Sequence, residues 1–580
     1  MATKLLKPRI TPKISPELQQ LHPVLARIYA ARGVQSTVEV QHLLKGLALP
    51  QLLLGMPAAL ALLTDALQKQ QRIVIVGDFD ADGATSTALV VLALRAMGAK
   101  YVDYLVPNRF KFGYGLTPEI VDVAIIDKKP DLIITVDNGI SSREGVERAK
   151  EAGVKVLITD HHLTGKNLPI ADAIINPNQP NCPFPSKNIA GVGVAFYVMA
   201  ALCSHLKSIG WFADKPMPVM ADFLDLVALG TVADVVQLDG NNRILVSQGL
   251  DRIRAGKCRE GIKALLKVAG REPASLQAID LGFSVAPRLN AAGRLDDMSH
   301  GIECLLTTSP VLAQQFAEEL DSMNVERRSI EGTMQEEALQ LFAQLEWTSE
   351  NLPPAIVLFN EDWHQGVIGI VAGRLKEKFH RPSIVFAPAD DKGDDKGDVI
   401  KGSARSISGI HIRDAIELVA TQYAGLITHF GGHAMAAGMT IPRANFEIFQ
   451  QAFTQVIKKV ATSEHLTAAL ATDGELEAQY FTLELAQLLR RSGPWGQAFP
   501  EPLFTGEFEC LDQRVLKEKH LKLQLKHPLT GKALEAIAFN VDIANWPNNP
   551  KKVLLAYRLD VNTFRGESRL QLMVEYLEAR

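Results

Sequence analysis

At 580 residues the chain is too long for one hydrophobic core, and three or four domains are expected. A hydrophobic fraction of 47% and a charged fraction of 22% are ordinary for a soluble globular protein, and a net charge of -4 argues against a surface coated in basic residues. Five scattered cysteines without a C-x-x-C pair support neither a disulfide framework nor a zinc knuckle, and indicate a reducing, cytoplasmic compartment.

Residues 1–50 read as a peripheral helical segment, with Leu21, Leu25 and Ile28 at helical spacing. Lys4, Lys7, Arg9 and Lys13 have no apolar stretch behind them, so no signal peptide is expected. From Ile73 to about Asn176, strand candidates alternate with helices: Ile73–Val76, Tyr101–Val106, Leu132–Val136, Val154–Ile158 and Ala173–Ile175. That rhythm means βαβ units and a parallel sheet covered on both faces. Largely helical segments follow from Ala190 to about Gly270. Within them the apolar run Ile189–Cys203 is broken by Gly191 and Gly193 and reads as too short for a bilayer, so no membrane is expected. Between Arg243 and Arg294 lie ten Lys/Arg and only four Asp/Glu, either a solvated face or a phosphate track.

Leu312, Phe316, Leu320 and Met323 mark a long amphipathic helix near Pro310–Leu345. A second α/β lobe begins near Pro354, with a strand at Ala355–Phe359 and a turn into a helix at Glu361–Ile370. The charged repeat Asp390–Asp398 reads as a loop tip. After Leu470, five strand candidates with short connections (Phe504–Cys510, Leu521–Leu525, Ala536–Val541, Val553–Asp560 and Leu570–Val574) fit an OB-type barrel. The fold class is therefore α/β multidomain. Its divisions are 1–50, a first α/β domain with a helical extension at 51–305, a connecting helix at 306–348, a second α/β domain at 349–465 and the barrel at 466–580.

Four apolar runs share one design: each ends in acids or histidines. Ile73–Val76 enters D-F-D-A-D-G, Leu132–Val136 enters D-N-G, Val154–Ile158 enters T-D-H-H, and Leu226–Leu229 enters G-T-V-A-D. Runs of this length read as buried parallel strands, and ligands of such sheets bind outside the carboxyl ends. If the first motif stays extended, Asp78, Asp80 and Asp82 point the same way, and their repulsion calls for cations. A calcium-type loop or a solvated acidic turn is the competing account. Gly83, Thr85 and Ser86 would offer N–H and hydroxyl groups to a phosphate. A lone D-N-G at Asp137 is most often a turn. Asp160 precedes His161 and His162, which on an extended chain would point to opposite sides; Asp234 would join from a helical stretch. Four Asp and one His form a mixed O/N set suited to Mn²⁺ or Mg²⁺, with the imidazole favouring Mn²⁺. Two ions sharing a carboxylate roughly 3.5–4 Å apart can activate water for attack on phosphorus.

The quartet D-x-D-A-D-G, D-N-G, D-H-H and T-V-A-D resembles the DHH phosphoesterase superfamily. The segments P-N-R-F-K-F-G-Y-G-L (Pro107 to Leu116), A-P-R-L-N-A-A-G-R (Ala286 to Arg294), W-H-Q-G-V-I-G-I, K-G-S-A-R-S (Lys401 to Ser406) and G-G-H-A-M-A-A-G (Gly431 to Gly438) narrow the match to its single-strand-specific DNA exonuclease branch. The resemblance implies a DHH-type catalytic domain, a DHHA1-type second domain and a nucleic-acid-binding barrel. It implies 5′ to 3′ hydrolysis of single-stranded DNA in repair and recombination, with two divalent ions, Mn²⁺ or Mg²⁺. By the same resemblance Asp80, Asp82, Asp137, His161 and Asp234 are metal ligands, with Asp137 as the bridge. Asp78 and Asp160 are auxiliary acids and His162 is a catalytic-side histidine. Arg109, Arg288, Asn290, Arg294, Ser403, Arg405 and His433 fall in segments used near substrate phosphates. Partners implied are single-strand binding protein and a helicase, with a monomeric chain. In the barrel, Lys517, Lys519, His520, Lys522 and Lys526 either track a strand backbone or protect an edge. The rivals are a small-substrate phosphoesterase of the same superfamily and a non-catalytic scaffold that has kept the fold.

Overall fold

The fold comes from a computed structural model that describes residues 4–107, 115–165, 167–344, 352–389, 399–548, 550–564 and 566–580. The chain forms two compact units: residues 10–324 with 484–502, and residues 1–9, 325–483 and 503–580.

The first unit is built on a five-stranded parallel sheet: β1 (Ile73–Gly77), β2 (Val102–Leu105), β3 (Leu132–Val136), β4 (Lys155–Thr159) and β5 (Ala173–Ile175), in the order β2-β1-β3-β4-β5. Every residue of β1 and β3 is buried, as expected when helices cover both faces. On one face Val74, Val76, Ile133, Val156 and Ile158 meet Ile120, Val121 and Val146 in a single apolar cluster. Helix α1 (Ala81–Ala96) follows β1 directly and packs against α2 (Gly191–Ser208) and α3 (Leu224–Ala233). The run Leu226–Leu229 is therefore helical, not a strand. It is buried all round, and a short apolar run reads the same in either state. The helix runs past the apolar segment Ile189–Cys203: α2 is 18 residues long and apolar enough to cross a membrane by length and composition, and it is mostly buried as a core helix.

The first fifty residues hold one α-helix, Pro23–Ala31, several short 3₁₀ turns and a strand that the helical reading missed. Leu5–Pro8 pairs in parallel with Ala469–Thr472, inside the second unit. The basic stretch is largely neutralised by ion pairs: Arg252 with Asp222, Arg254 with Asp251, Arg259 with Asp225, Lys263 with Glu260, Arg271 with Asp280 and Arg288 with Asp321. A π-helical turn, Leu281–Val285, leads into α4 (Ala286–Leu295), and α5 (Pro310–Gln344) gives residues to both units.

In the second unit a mixed sheet runs β9-β10-β8-β7-β6, from β6 (Ile356–Phe359), β7 (Ser383–Pro388), β8 (Val399–Arg405), β9 (His429–Gly432) and β10 (Ala436–Pro442). Only β6 and β7 pair in parallel, and α6 (Ile368–Phe379) connects them. The last five strands, β11 (Phe504–Leu516), β12 (His520–Lys526), β13 (Ala533–Ala538), β14 (Lys552–Phe564) and β15 (Glu567–Ala579), close a barrel in the order β11-β12-β13-β15-β14. Residues 484–502 interrupt this region and belong to the first unit. There Trp495 stacks on Phe499 at 5.2 Å, Arg243 lies 4.2 Å from the Phe499 ring centroid, and the Tyr29 hydroxyl donates to Ser492 O at 2.7 Å.

Candidate metal centre

The order β2-β1-β3 means that the chain leaves β1 to one side and returns as β3 on the other. Such a reversal opens a crevice at the carboxyl ends of the two strands. Asp78 and Asp80 follow β1, Asp137 follows β3 and Asp160 to His162 follow β4, so topology alone delivers them to one edge.

Asp80 is the N-cap of α1, its Oδ1 accepting from the N–H groups of Asp82 and Gly83 at 2.9 and 3.0 Å. Asp82 sits in the first helical turn. The three acids therefore do not alternate along an extended strand; the helix begins between them and turns Asp82 inward. There its carboxylate accepts from Gly191 N at 2.7 Å and Val192 N at 2.9 Å, the open amino end of α2. Asp137 takes a left-handed conformation, φ 62°, in a turn held by the Asn138 amide, which donates to Val76 O at 3.0 Å and Val136 O at 2.9 Å. The Asp160 carboxylate accepts from Ile140 N, His161 N, His162 N and the His162 ring, so it organises the D-H-H turn. Because the strand ends at Thr159, the two histidines do not splay apart; their ring centroids are 4.5 Å apart.

His161 Nε2 lies 3.1 Å from Asp137 Oδ1 and 3.5 Å from Asp234 Oδ2. Three sets of ligand atoms fall within 4.8 Å of one another: Asp137, His161 and His162; Asp82, His161 and Asp234; Asp78, Asp80 and Asp137. Asp137 belongs to two of them. Burial and the nearby carboxylates, Asp82 and Asp80 foremost, hold Asp137 well above the usual carboxylate range. Burial followed by Asp82 and Asp80 does the same to Asp234, while burial and Asp80 push Asp82 up to about 7. Burial opposes charging of His162, but Asp160, Asp234 and Asp78 outweigh it and lift its pKa to about 9. Several anions pressed together out of water need positive charge, and an O/N donor set within this reach fits Mn²⁺ or Mg²⁺.

Glycines supply the room. A Cβ on Gly191 would stand 2.5 Å from Asp137 Oδ1, and one on Gly230 would stand 2.8 Å from Asp82 Oδ1. Asn178 donates to His161 O at 2.6 Å and Asn176 to His162 O at 2.9 Å, buttressing the histidine turn. The sequence marked Gly191 only as a break in an apolar run and Gly230 only as the first residue of G-T-V-A-D; for Asn176 and Asn178 the N-P-N triplet was the available signal. Gly83, Thr85 and Ser86 do not serve a phosphate. All three are buried, Gly83 N is bonded to Asp80, and Thr85 Oγ1 donates to Ala81 O and Asp82 O.

Of the predicted substrate residues, Asn290 joins the metal loop: its Oδ1 accepts from Ala81 N at 2.8 Å, between Asp80 and Asp82. Gly293 lets α4 sit against Phe79, where a Cβ would be 1.8 Å from the carbonyl oxygen. Arg294 is half-buried one turn on. Arg288 is buried with Nη2 2.8 Å from Asp321 Oδ1, the position of a packing residue. Arg109 and the Asp390–Asp398 loop lie outside the described residues.

In the second unit Ser403 and Arg405 lie on β8, in register with Gly438 and Ala436 of β10. His433 N donates to Ala436 O at 2.8 Å, which brings the G-G-H turn beside Arg405. Arg405 Nη1 donates to Ser403 Oγ at 3.1 Å, and a Cβ on Gly369, in the first turn of α6, would be 2.9 Å from both groups. Burial lowers the Arg405 pKa, and among the described residues no acid is paired with it. A half-buried cation at a helix amino end suits an anion.

The DHH family, N-terminal domain, matches residues 72–231, the DHHA1 domain residues 352–459 and the RecJ OB domain residues 472–576. A Dickeya dadantii protein named single-stranded-DNA-specific exonuclease RecJ is 53% identical over 98% of both chains. The chain belongs to the RecJ family. The RecJ of Escherichia coli is likewise 53% identical, over 96% of each chain. A crystal structure of RecJ in complex with Mn²⁺ from Thermus thermophilus is similar at a TM-score of 0.79 and 29% identity, covering 99% of this chain and 79% of that one. A second structure of that RecJ contains Mg²⁺, and both ions suit the donor set found here.

Proposed function

We propose that this chain is a divalent-metal-dependent exonuclease that hydrolyses phosphodiester bonds of single-stranded DNA, 5′ to 3′, in DNA repair and recombination. The observation that carries the reading is the convergence of three ligand sets at the switch point of the parallel sheet, with Asp137 common to two, in a chain of the RecJ family.

In this reading Asp80, Asp82, Asp137, His161 and Asp234 hold two divalent ions, with Asp137 shared between them. When bound, such ions supply Lewis-acid polarisation of a phosphate oxygen and a more acidic water. Asp78 lies within reach of Asp80 and Asp137, so it orients that set or adds an oxygen to it. Asp160 orients the histidines through four hydrogen bonds. His162, with Nδ1 bonded to Asp160 and its pKa raised in the ion-free protein, stands where a proton at Nε2 would neutralise charge at the scissile phosphate. Asn290 positions the metal loop, Arg294 and Arg109 meet phosphates, and Ser403, Arg405 and His433 offer a second anion contact. For Arg288 the ion pair with Asp321 favours a packing role.

We assign catalysis to residues 51–305, the connecting helix to 306–348, substrate binding to 349–465 and nucleic-acid binding to 466–580. Five free cysteines fit a cytoplasmic compartment. A monomer working with single-strand binding protein and a helicase completes the proposal; co-sedimentation with each purified partner tests it.

The decisive assay digests 5′- and 3′-end-labelled single- and double-stranded DNA with Mn²⁺, with and without EDTA. Stepwise loss of single strands from the 5′ end, abolished by EDTA, is expected. Equal digestion of duplex, or full activity in EDTA, would sink the proposal.

A further inference from the structure

Three large apolar side chains stand in solvent around one part of the first unit: Val235 at 65% exposure, Ile279 at 45% and Phe283 at 76%. Val235 follows Asp234 directly and holds a left-handed φ of 59°, which a β-branched residue adopts only under strain. Phe283 lies on the π-helical turn Leu281–Val285, a rare geometry that re-aims side chains and recurs at functional sites. That turn packs on α3, the helix that ends at Ala233 just before Asp234: a Cβ on Gly282 would lie 3.2 Å from Val232 Cγ1.

Five accessible positions of this arm follow one stripe, with Asp280 and Gly282 also partly exposed off it. Ile279 and Phe283 are exposed and Pro287, Asn290 and Arg294 partly so, at spacings of four, four, three and four; Ser284 to Ala286, Arg288, Leu289 and Ala291 to Gly293 are buried. The stripe has a fixed anchor, because Asn290 is bonded to Ala81 in the metal-ligand loop. Seven residues separate it from Phe283, about 10 Å of helix. One end of the stripe thus carries a cation, Arg294, beside the metal loop, and the other end carries an exposed ring. Phosphates need the first and unpaired bases suit the second.

We propose that Phe283, backed by Ile279, is a stacking platform for an unpaired base of the strand held at the metal centre. It makes acceptance of substrate depend on bases that are free to leave a duplex. The proposal rests on the nuclease reading above, and the test separates the two. Wild-type protein with Mn²⁺ is first shown to degrade a single-stranded oligonucleotide; failure there sinks the nuclease reading alone.

Steady-state digestion is then compared for wild type, Phe283→Ala, Phe283→Leu and Phe283→Trp, on an intact oligonucleotide and on a set with one abasic position moved along the strand. Phe283→Ala and Phe283→Leu are expected to raise KM about 5- to 100-fold, more than they lower kcat, and Phe283→Trp to stay near wild type. The penalty should disappear when the abasic position is the one that stacks, since neither protein then has a base to hold. An unchanged KM for Phe283→Ala overturns the proposal. So does full rescue by Leu, which would mark generic apolar packing, or a penalty indifferent to where the base is missing. Because Phe283 is exposed, a folding defect is not expected; should Phe283→Ala nonetheless lose its thermal transition, Phe283→Trp and the abasic series on wild type still decide.

Discussion

The two sheets of this protein solve opposite electrostatic problems. At the carboxyl edge of the parallel sheet, the buried Asp82 and Asp137 stand with a half-buried Asp234 and their carboxyls are held well above the usual range, so the fold is short of positive charge. Beside the mixed sheet of the second unit, Arg405 is a half-buried guanidinium whose contacts are a serine hydroxyl and a carbonyl, so this corner of the fold is short of negative charge. One site calls for cations and the other suits an anion. Neither is arranged for its own stability, which is what distinguishes both from the neutralised pairs such as Arg259 with Asp225.

The largest effect tests the first half of that contrast. Asp137→Asn should lower nuclease activity at least about 100-fold, since removal of residues that merely support ligands already costs 10–100-fold. The same change should make the metal-free protein more stable, by roughly 1–3 kcal/mol, because it removes one of several buried like charges. Release of labelled nucleotide and thermal melting in EDTA read the two outcomes; a less stable metal-free variant would break the comparison.

Next in size, Mn²⁺ at about 100 times its Kd should stabilise wild type by about 2.7 kcal/mol, reversibly with EDTA. Asp137→Asn should lose most of that shift. Differential scanning calorimetry with and without the ion measures it, and an equal shift in both proteins would argue against Asp137 as a ligand.

Arg405→Met should act oppositely: KM for single-stranded DNA rises about tenfold, the Mn²⁺-induced shift is retained, and the salt slope of binding falls by about 0.7 as one phosphate contact is lost. An unchanged slope in a titration of binding against salt would remove Arg405 from the phosphate contacts.

The smallest effect concerns His162. Its folded pKa of about 9 lies above the unfolded value of 6.5, so the stability it contributes is fully present below pH 6.5 and is lost as pH rises through 9. With a side chain one-third exposed, about 1–2 kcal/mol is reasonable. Melting in EDTA from pH 6 to pH 10 should therefore show a steeper alkaline decline for wild type than for His162→Gln; parallel curves would contradict the ion pair with Asp160.

Much of this was legible in the chain itself. Apolar runs of three to six residues marked the strands of the parallel sheet to within a residue or two, and five short strands after Leu470 marked the barrel. Leu226–Leu229 was misread because burial on every side erases the periodicity that separates helix from strand. The alternation expected of Asp78, Asp80 and Asp82, and the divergence expected of His161 and His162, failed for one reason. Both presume that the strand continues past its last hydrogen bond, whereas β1 ends at Gly77 and β4 at Thr159.

By itself, then, the sequence marked the candidate ligands, because acids and histidines at the ends of apolar runs are a local pattern. Tertiary structure alone decided how they meet. Gly191 and Gly230 open space beside Asp137 and Asp82, the amino end of α2 holds the Asp82 carboxylate, and Asn290 reaches 209 residues along the chain to bond the metal loop. Those contacts join segments far apart in the chain, and neither spacing nor composition records distances that only packing sets.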